Sequence, residues 1–231
     1  MLALRSLLFN VLFFGLTATV GFLALPLFLG PNAFVRRMMH LWCGLMVRML
    51  YVVCGTRVEL RGREHLPASG PALIASKHQS TFDTFVWFAL VPDVAFVMKR
   101  ELFLLPIYGW YAKWTGHLGV DRTGGMAAMR KLMRDGKHAA AEGRQIVIFP
   151  EGTRTAPGER IPYQPGVQAL AQTTGLPVTP VATNSGLFWP RRSFLKRPGT
   201  LRIHILPPLS GRGQLMERLE AAIEAEQARL D

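Results

Sequence analysis

The N-terminal part of the chain is a long run without charge. No charged residue occurs from Ser6 to Val35, and most positions between them are apolar. A helix of roughly 20 apolar residues already crosses a bilayer, so the run is longer than one span requires. Arg5 precedes it, and Arg36 and Arg37 follow it. A run of this length and composition predicts a membrane segment.

A second apolar, helix-like piece extends from Met38 to Gly55 and is interrupted only by His40 and Arg48. Two arrangements fit: one span followed by an interfacial helix, or a helical hairpin inserted in one leaflet of the bilayer. A secretory signal is the rival for the first run, but the run is long for a signal and shows no convincing small-x-small cleavage site. We predict a membrane anchor over residues 1–55, with the charged remainder on one side, the cytoplasm.

From residue 57 onward the pattern is that of a globular domain, which we predict to span residues 56–231. Short alternating or apolar stretches predict strands, and longer stretches with helical spacing separate them. This alternation predicts an α/β fold with a mixed, mostly parallel sheet covered by helices. The predicted strands are 57–61, 72–75, 94–98, 146–149 and 201–205, and the main predicted helices are 126–142, 166–173 and 214–230.

Two finer expectations concern prolines and methionines. Proline cannot donate to a strand ladder, so Pro177 and Pro180 predict an edge position or a shaped wall for a ligand. The spacing of Met126, Met129 and Met133 predicts the core stripe of a helix.

The charge of the chain limits its partners. The formal net charge is +12, and 49% of the residues are apolar. A basic and apolar protein predicts an anionic membrane surface as a partner, ahead of nucleic acid. The sequence has no zinc-finger spacing, RNA-binding aromatic signature or long Lys/Arg block, so nucleic acid is not predicted as a partner. A cationic surface would also concentrate anionic substrates such as a lipid phosphate.

A histidine and an aspartate five residues apart form the first candidate site. An apolar run, residues 72–75, leads into His78, and a helical stretch begins near Asp83. On one continuous helix the two side chains would project about 140° apart, so they can meet only if the chain turns between them. A histidine held by a carboxylate is a general base, and a hydrogen-bonded loop histidine is the alternative. Because no Gly-x-Ser-x-Gly elbow occurs, the base would take its proton from the substrate, most simply an alcohol.

The second candidate site follows a buried strand. Residues 146–149 lead directly into Pro150-Glu151-Gly152-Thr153-Arg154. A glycine lets the main chain approach a ligand closely. A threonine hydroxyl and a forked guanidinium suit phosphate oxygens. The alternative is a tight turn with a solvated glutamate and arginine.

Together the two sites resemble those of the glycerolipid acyltransferases, in particular the bacterial members that act on 1-acyl-glycerol 3-phosphate. Residues 78–83 resemble the family's His-x4-Asp block, and residues 149–154 resemble its Phe-Pro-Glu-Gly-Thr-Arg block. The two blocks in this order are highly specific. Two looser blocks, residues 116–122 and 176–181, also fall in the family's order. Gly119 departs from the family, which usually has a bulky apolar residue there, and predicts a loosened strand before the arginine that ends the block.

The resemblance implies an O-acyltransferase of phospholipid biosynthesis. Such an enzyme transfers a fatty acyl group from acyl-CoA or an acyl-carrier protein to the free hydroxyl of lysophosphatidic acid, giving phosphatidic acid. It implies no metal or other cofactor, and the sequence has neither an HExxH motif nor paired Cys/His spacing. It also implies two N-terminal helices that anchor the catalytic domain, which favours the hairpin arrangement. The predicted location is the cytoplasmic face of a bacterial inner membrane.

Eight residues carry the predicted roles. His78 is the predicted general base, and Asp83 is predicted to orient it. The predicted phosphate-holding cations are Lys99, Arg122 and Arg154. The residues predicted to shape the phosphate pocket are Glu151, Gly152 and Thr153. Donors for the oxyanion are expected among the main-chain N–H groups of residues 80–82.

Two other functions fit the same sequence. A related acyltransferase would act on another lysolipid, such as a lyso-ornithine lipid, or on glycerol 3-phosphate. A non-catalytic membrane lipid-binding protein would keep the fold, but it would not need a base beside its phosphate clamp.

Three further segments have predicted places. His117, four residues before Asp121, is expected to be a strand residue near the site and not the base. The aromatic residues between 103 and 114 are expected to divide between the core and the membrane surface. The cationic segment 184–198 is expected to touch the membrane or to be solvated.

Overall fold

The computed structural model describes residues 1–210 and 213–230. Gly211, Arg212 and Asp231, which the predicted catalytic domain includes, lie outside the described residues. The N-terminal part forms two long helices, α1 (Leu2–Leu23) and α2 (Asn32–Met49). A 3-10 helix, Leu25–Leu29, joins them, and a π-helical turn, Leu50–Cys54, extends α2.

A seven-stranded sheet forms the centre of the described residues. Its strands are β1 (Thr56–Arg61), β2 (Ala72–Ser76), β3 (Val94–Lys99), β4 (Leu118–Val120), β5 (Gln145–Ile148), β6 (Val178–Thr183) and β7 (Gly199–Ile205). Across the sheet the order is β1-β7-β6-β2-β5-β3-β4. The β6–β7 pair is antiparallel, and the other neighbouring pairs are parallel. The predicted mixed, mostly parallel sheet is therefore confirmed.

Helices cover both faces of the sheet, as a largely parallel sheet requires. The short helices are α3 (Phe82–Phe85), α4 (Trp87–Leu90), α5 (Tyr108–Trp114) and α8 (Ser185–Phe188). The longer ones are α6 (Gly125–Ala141), α7 (Gly166–Thr174) and α9 (Leu215–Leu230), and 3-10 turns occupy Arg63–His65 and Arg100–Leu104. Helices α6, α7 and α9 share a core with one face, and α1 to α4 share a core with the other.

Strand β2 shows how the sequence divides between these two cores. Successive side chains of a strand point to opposite faces. Ala72 and Ile74 belong to the core beneath α1 to α4, whereas Leu73 and Ala75 belong to the core beneath α6, α7 and α9. Every position of β2 is buried. This double burial explains why the strand is a continuous apolar run in the sequence and does not alternate.

Helix α1 contacts protein on one side only. Phe9 and Phe13 pack against Trp189, which lies between β6 and β7. The Ser6 hydroxyl accepts a hydrogen bond from the main-chain N–H of Lys196 at 2.9 Å. Segment 184–198, predicted to touch the membrane or to be solvated, therefore also docks on α1. The outward side of α1 exposes apolar side chains, among them Leu4, Leu7, Leu8, Val11 and Phe14.

By length and composition, Leu2–Leu29 and Asn32–Cys54 are long and apolar enough to cross a membrane. Two such helices near the N-terminus indicate membrane association. Because both helices share a core with the sheet, residues 1–55 and 56–231 do not have separate cores. The division of the chain into these two domains stays a prediction.

Pro180 lies in an interior strand, so the prediction of an edge position is wrong. Strand β6 runs between β7 and β2, and Pro180 pairs with Ala75 of β2. Its carbonyl accepts a hydrogen bond from the N–H of Leu206 at 2.9 Å, which places its ring nitrogen on the β7 side as well. The β6–β7 ladder begins only at Val181, so the missing N–H interrupts no pair.

Met126 does not belong to the core stripe of α6, contrary to the prediction. It is 76% exposed, and the buried residues of α6 are Leu132, Gly136 and Ala139. At 100° per residue, a side chain six positions before Leu132 projects about 120° away from it. Met129, which lies closer to the direction of Leu132, packs against the core.

Candidate active site

The sheet brings the predicted site residues to one edge. Strands β2, β3, β4 and β5 are parallel, so their carboxyl ends meet at the same edge, where sites commonly lie in α/β folds. His78 and Asp83 follow β2. Lys99 ends β3, Arg122 follows β4, and residues 151–154 follow β5.

His78 and Asp83 are in contact across the turn that joins β2 to α3. Nδ1 of His78 lies 3.3 Å from Oδ2 of Asp83. The same oxygen accepts hydrogen bonds from the main-chain N–H groups of Gln79 and Ser80, both at 2.7 Å. Both members of the pair are buried. A carboxylate fixed in this way favours the proton on Nδ1, which leaves Nε2 able to accept a proton from a substrate.

The segment that follows β5 holds His78 from a second side. The ring of Phe149 stacks on the imidazole, with centroids 4.0 Å apart and an interplanar angle of 18°. The N–H of Thr155 donates to the main-chain carbonyl of His78 at 2.8 Å, and its hydroxyl donates to the same oxygen at 3.2 Å. Sequence reasoning missed both residues as supports of the base.

The main-chain amides expected to face an oxyanion are partly occupied. The N–H of Ser80 binds Asp83, and the N–H of Phe82 donates to the hydroxyl of Ser80 at 3.1 Å. For these two residues the expectation of oxyanion donors is wrong. Their hydrogen bonds instead stabilise the turn that returns Asp83 to His78.

Gly152 lets the chain turn after Glu151. Its φ of 67° lies in the left-handed region, which glycine adopts without a steric cost, and its N–H closes the turn on the carbonyl of Phe149 at 2.9 Å. Glu151 is buried, whereas Thr153 is exposed. Oε1 of Glu151 lies 3.4 Å from the main-chain nitrogen of His78. The side chain of Glu151 therefore faces the main chain of His78, and its pocket-shaping role stays a prediction.

Burial also changes the charge of Glu151. It raises the pKa of this carboxyl to about 7, against the opposing effect of the nearby Lys77 ammonium. Nζ of Lys77 lies 3.5 Å from Oε1 of Glu151. At neutral pH this carboxyl is therefore protonated more often than an exposed glutamate.

The two predicted blocks interlock through arginines. Nη1 of Arg154 donates to the hydroxyl of Thr81 at 2.9 Å, and Thr81 lies between His78 and Asp83. Arg122 donates a hydrogen bond to the carbonyl of Gly152. Both guanidinium groups thus contact segments that belong to the site.

Lys99 is exposed at the end of β3, where its register partner is Val120, two residues before Arg122. Strand β4 forms across Gly119, so the loosening predicted there is not observed. A Cβ at Gly119 would lie 3.1 Å from the ring of Phe103, so the glycine makes room for that ring. The phosphate-holding roles of the three cations stay predictions.

A buried charged cluster beside His78 was missed from the sequence. Lys77 directly precedes the base and is 1% exposed. Its Nζ lies 2.5 Å from Oε1 of Glu224 in α9. The one available signal was a lysine at the end of an otherwise apolar strand, and nothing in the sequence identified its partner 147 residues later.

His117 lies level with Phe96 near the middle of the sheet, and its nearness to the site stays a prediction. It precedes β4, and its Nδ1 accepts a hydrogen bond from the N–H of Phe96 at 3.3 Å. Burial lowers the pKa of His117 to about 3, with a smaller effect from the charge of Arg144. A cavity of about 660 Å³ opens beside it, away from His78. Its charged side chains are paired, as in the 3.2 Å contact between Arg144 and Asp93.

Among residues 1–210 and 213–230, no group of three or more His, Cys, Asp or Glu side chains could hold a metal ion. The prediction that the reaction uses no metal or other cofactor stays a prediction.

Comparison with known proteins identifies the family of the chain. A family model described as Acyltransferase matches residues 57–184. A 1-acyl-sn-glycerol-3-phosphate acyltransferase of Pseudomonas aeruginosa is 34% identical over 99% of this chain and 92% of its own length. A protein of the same name from Limnanthes alba is 30% identical over 74% of this chain, which spans 59% of that protein.

A solved structure shares the fold. The crystal structure of the 1-acyl-sn-glycerophosphate (LPA) acyltransferase PlsC from Thermotoga maritima superposes with a TM-score of 0.78. The match covers 99% of this chain and 97% of that one at 24% identity. The two N-terminal helices are thus included in the shared architecture. With the family model and the Pseudomonas relative, these findings show that the chain belongs to the acyltransferase family.

Proposed function

We propose that the chain transfers a fatty acyl group from acyl-CoA or an acyl-carrier protein to the free hydroxyl of 1-acyl-glycerol 3-phosphate, forming phosphatidic acid. The observation that carries the proposal is the buried His78–Asp83 contact, with Arg154 hydrogen-bonded to Thr81 of the same turn. A base and a cation suited to a phosphate therefore meet at one turn of the chain, the cation reaching it from the segment after β5. The name of the Pseudomonas aeruginosa relative supports the same acceptor.

The reaction needs one proton carrier and no covalent enzyme intermediate. Nε2 of His78 takes the hydroxyl proton of the acceptor while the hydroxyl oxygen attacks the thioester carbonyl carbon. The tetrahedral species collapses, the C–S bond breaks, and the imidazolium returns the proton to the leaving thiolate. The products are the new ester and a free thiol on CoA or on the carrier protein. Asp83 stabilises the imidazolium between the two proton transfers.

The lipid phosphate binds to cations at the same edge of the sheet. Arg122 and Arg154 donate hydrogen bonds to neutral oxygens, those of Gly152 and Thr81, and so retain their charge for an anion. Lys99 joins them from the end of β3. Charge-assisted hydrogen bonds to phosphate orient the acceptor, which raises the frequency of productive encounters with the base. The wall of the phosphate pocket is formed by Glu151, Gly152 and Thr153.

We also propose that the chain works at an anionic bilayer, on the cytoplasmic face of a bacterial inner membrane. By strand alternation His78 points to the face that α1 to α4 cover. Among residues 103–114, Tyr111 is buried, whereas Leu104, Tyr108 and Trp110 are exposed. Tyr111 donates a hydrogen bond to the carbonyl of Gly21 at 2.9 Å, so the exposed side chains adjoin the N-terminal helices. Together they form one apolar surface for the lipid.

The test is acyl transfer from labelled acyl-CoA in liposomes, with lysophosphatidic acid, glycerol 3-phosphate and a lyso-ornithine lipid as acceptors. Wild type is run beside His78→Ala and beside the exposed control His138→Ala. We expect phosphatidic acid from lysophosphatidic acid with wild type and His138→Ala only. Product from a different lysolipid would keep the mechanism and change the substrate. If neither acyl-CoA nor an acyl-carrier donor gave product, the lipid-binding function would replace the enzymatic one.

A further inference from the structure

A buried ion cluster joins the C-terminal helix to the residue before His78. Nζ of Lys77 lies 2.5 Å from Oε1 of Glu224 and 3.5 Å from Oε1 of Glu151. The hydroxyl of Tyr163 donates to the same Glu224 oxygen at 2.8 Å. These four residues, Lys77, Glu151, Tyr163 and Glu224, are named the Lys77 cluster. It connects the end of β2, the turn after β5, the loop before α7, and α9.

Stability alone does not account for this cluster. Taking an ammonium and a carboxylate out of water costs several kcal/mol, which their attraction and hydrogen bonds offset only in good geometry. Apolar side chains of similar volume at such positions are often equally stable or more so. A buried ion pair does favour one arrangement of its two side chains, because the charge of the ammonium is balanced only where it meets the carboxylate.

The geometry of Lys77 bears directly on His78. The N–H of Lys77 donates to the carbonyl of Val181 at 2.8 Å, so the strand pattern of β2 continues through this residue. Leu73 and Ala75 point to the core beneath α6, α7 and α9, and Lys77 continues that series to Glu224. The next side chain, His78, must then point to the opposite face. A fixed Lys77 side chain therefore fixes the direction in which the imidazole leaves the strand.

The main chain of His78 is held within the same arrangement. Its nitrogen lies 3.4 Å from Oε1 of Glu151, and its carbonyl accepts two hydrogen bonds from Thr155. Glu151 thus contacts both the Lys77 ammonium and the peptide of the base. Arg160, in the same loop as Tyr163, lies 3.5 Å from the second oxygen of Glu224 and limits its rotation.

We propose that Glu224 is a positioning residue for the reaction, acting through Lys77 on the orientation of His78. The change in kcat that this inference predicts rests on the proposed acyl transfer. Through its described residues, Leu215–Leu230, helix α9 makes no hydrogen bond to His78 or Asp83. It nevertheless influences whether the imidazole meets its aspartate, because it holds the side chain of Lys77, the residue directly before His78.

The first experiment compares Glu224→Gln with Glu217→Gln, an exposed glutamate of the same helix. Both variants are assayed for kcat, for the KM of the acceptor and for thermal unfolding. We expect Glu224→Gln to lower kcat roughly tenfold to a hundredfold, since a small misplacement of a catalytic group is enough for such a loss. The KM should stay within about twofold, because the phosphate cations are unchanged. Glu217→Gln should behave as wild type.

A double variant separates positioning from stability. Lys77→Met combined with Glu224→Gln removes the ammonium and one of its two carboxylates. Glu151, the other carboxylate, loses its partner and takes up a proton, because burial already raises its pKa to about 7. The unfolding temperature of the double variant should therefore recover relative to Glu224→Gln alone. The proposal predicts that kcat stays low in this double variant. Recovery of kcat together with stability would overturn the proposal and leave the Lys77 cluster as a structural ion pair.

A chemical readout makes the test independent of turnover. The rate at which diethyl pyrocarbonate modifies His78, followed by mass spectrometry, reports the exposure and orientation of the imidazole. We expect this rate to change severalfold in Glu224→Gln and to be unchanged in Glu217→Gln. Equal rates in all three proteins would also overturn the proposal. If wild type transferred no acyl group to any acceptor, the proposed function would fail, and the modification rates would still decide the role of Glu224.

Discussion

Phe149 lies flat against the imidazole of His78, with ring centroids 4.0 Å apart. The contact joins the ends of two neighbouring parallel strands, because Phe149 follows β5 and His78 follows β2. A second ring, Phe96 of β3, lies 6.2 Å from Phe149 and nearly parallel to it. The imidazole of His78 is therefore supported by a short stack of rings that crosses three strands.

Replacing Phe149 with leucine tests this support. Leucine keeps an apolar side chain in the site but removes the flat surface that limits tilting of the imidazole. We expect kcat to fall about tenfold with little change in the KM of either substrate, because the loss concerns orientation and not binding. Phe96→Leu, one ring further from the base, is the control and should have the smaller effect. Wild-type kcat in Phe149→Leu would show that the ring of Phe149 does not orient the imidazole.

The charge of Asp83 is tested by Asp83→Asn. The amide oxygen of asparagine can still accept the N–H groups of Gln79 and Ser80, so the turn should be kept, but the imidazolium loses its counter-charge. We expect kcat to fall roughly a hundredfold or more, within the range of general base catalysis.

His78→Ala should abolish turnover while lipid binding, measured by liposome flotation, is largely retained. Near-normal turnover in either variant would contradict the assignment of the base pair.

Arg154 is predicted to act on binding. Arg154→Ala should raise the KM for a phosphate-bearing acceptor by roughly tenfold or more, the loss expected for one charge-assisted hydrogen bond, and should change kcat less. Thr81→Val removes the hydrogen bond that orients Arg154 but keeps its charge. Comparing the two variants shows how much of the change in KM comes from the charge and how much from the orientation of the guanidinium. Arg130→Ala, an exposed arginine of α6, is the control. An unchanged KM in Arg154→Ala would place the phosphate elsewhere.

Glu151 makes stability depend on pH in an identifiable direction. Burial raises its pKa from 4.5 to about 7, so the folded chain binds the proton more tightly than the unfolded chain does. The stabilising contribution is complete below about pH 4.5 and is lost as the pH rises to about 7, by up to roughly 3 kcal/mol. The buried His117 acts in the opposite direction, because its pKa is lowered from 6.5 to about 3 and stability therefore rises with pH up to about 6.5. Thermal unfolding of wild type across this range gives the sum of the two effects, which includes the decrease due to Glu151. Glu151→Gln should reduce it, and an identical pH profile in the two proteins would contradict the raised pKa.

The parts of the site that the sequence predicts are those formed over short distances. His78 meets Asp83 because the chain turns between a strand and a helix, and the sequence of residues 72–90 predicts both elements. The presence of Gly152 predicts the turn after Glu151. Residues whose place depends on distant partners were not predicted. Lys77 and Glu224 are charged types that usually face water, so only the packing of α9 on the sheet reveals that they are buried together.

The same reasoning explains the errors. Pro180 violates a rule about ladders, and the structure satisfies that rule by ending the neighbouring ladder at Val181. The methionine spacing in α6 was compatible with a core stripe, but the sheet selected the stripe through Leu132 and Gly136. The spacing of apolar residues predicts reliably that a helix has an apolar face. It predicts less reliably which of two overlapping faces packs against the sheet.

The docking of α1 on the segment after β6 has a consequence for biosynthesis. Ser6 and Lys196 meet in the folded chain although they are 190 residues apart. The ribosome therefore releases α1 long before Trp189 and Lys196, which cover part of its inner side, exist. During that interval Trp42 and Phe85 cover Phe13 in part, and lipid or a chaperone is needed to shield the remaining apolar surface from water. We expect the nascent chain to be delivered to the bilayer first, so that the sheet is assembled against a helix already in place.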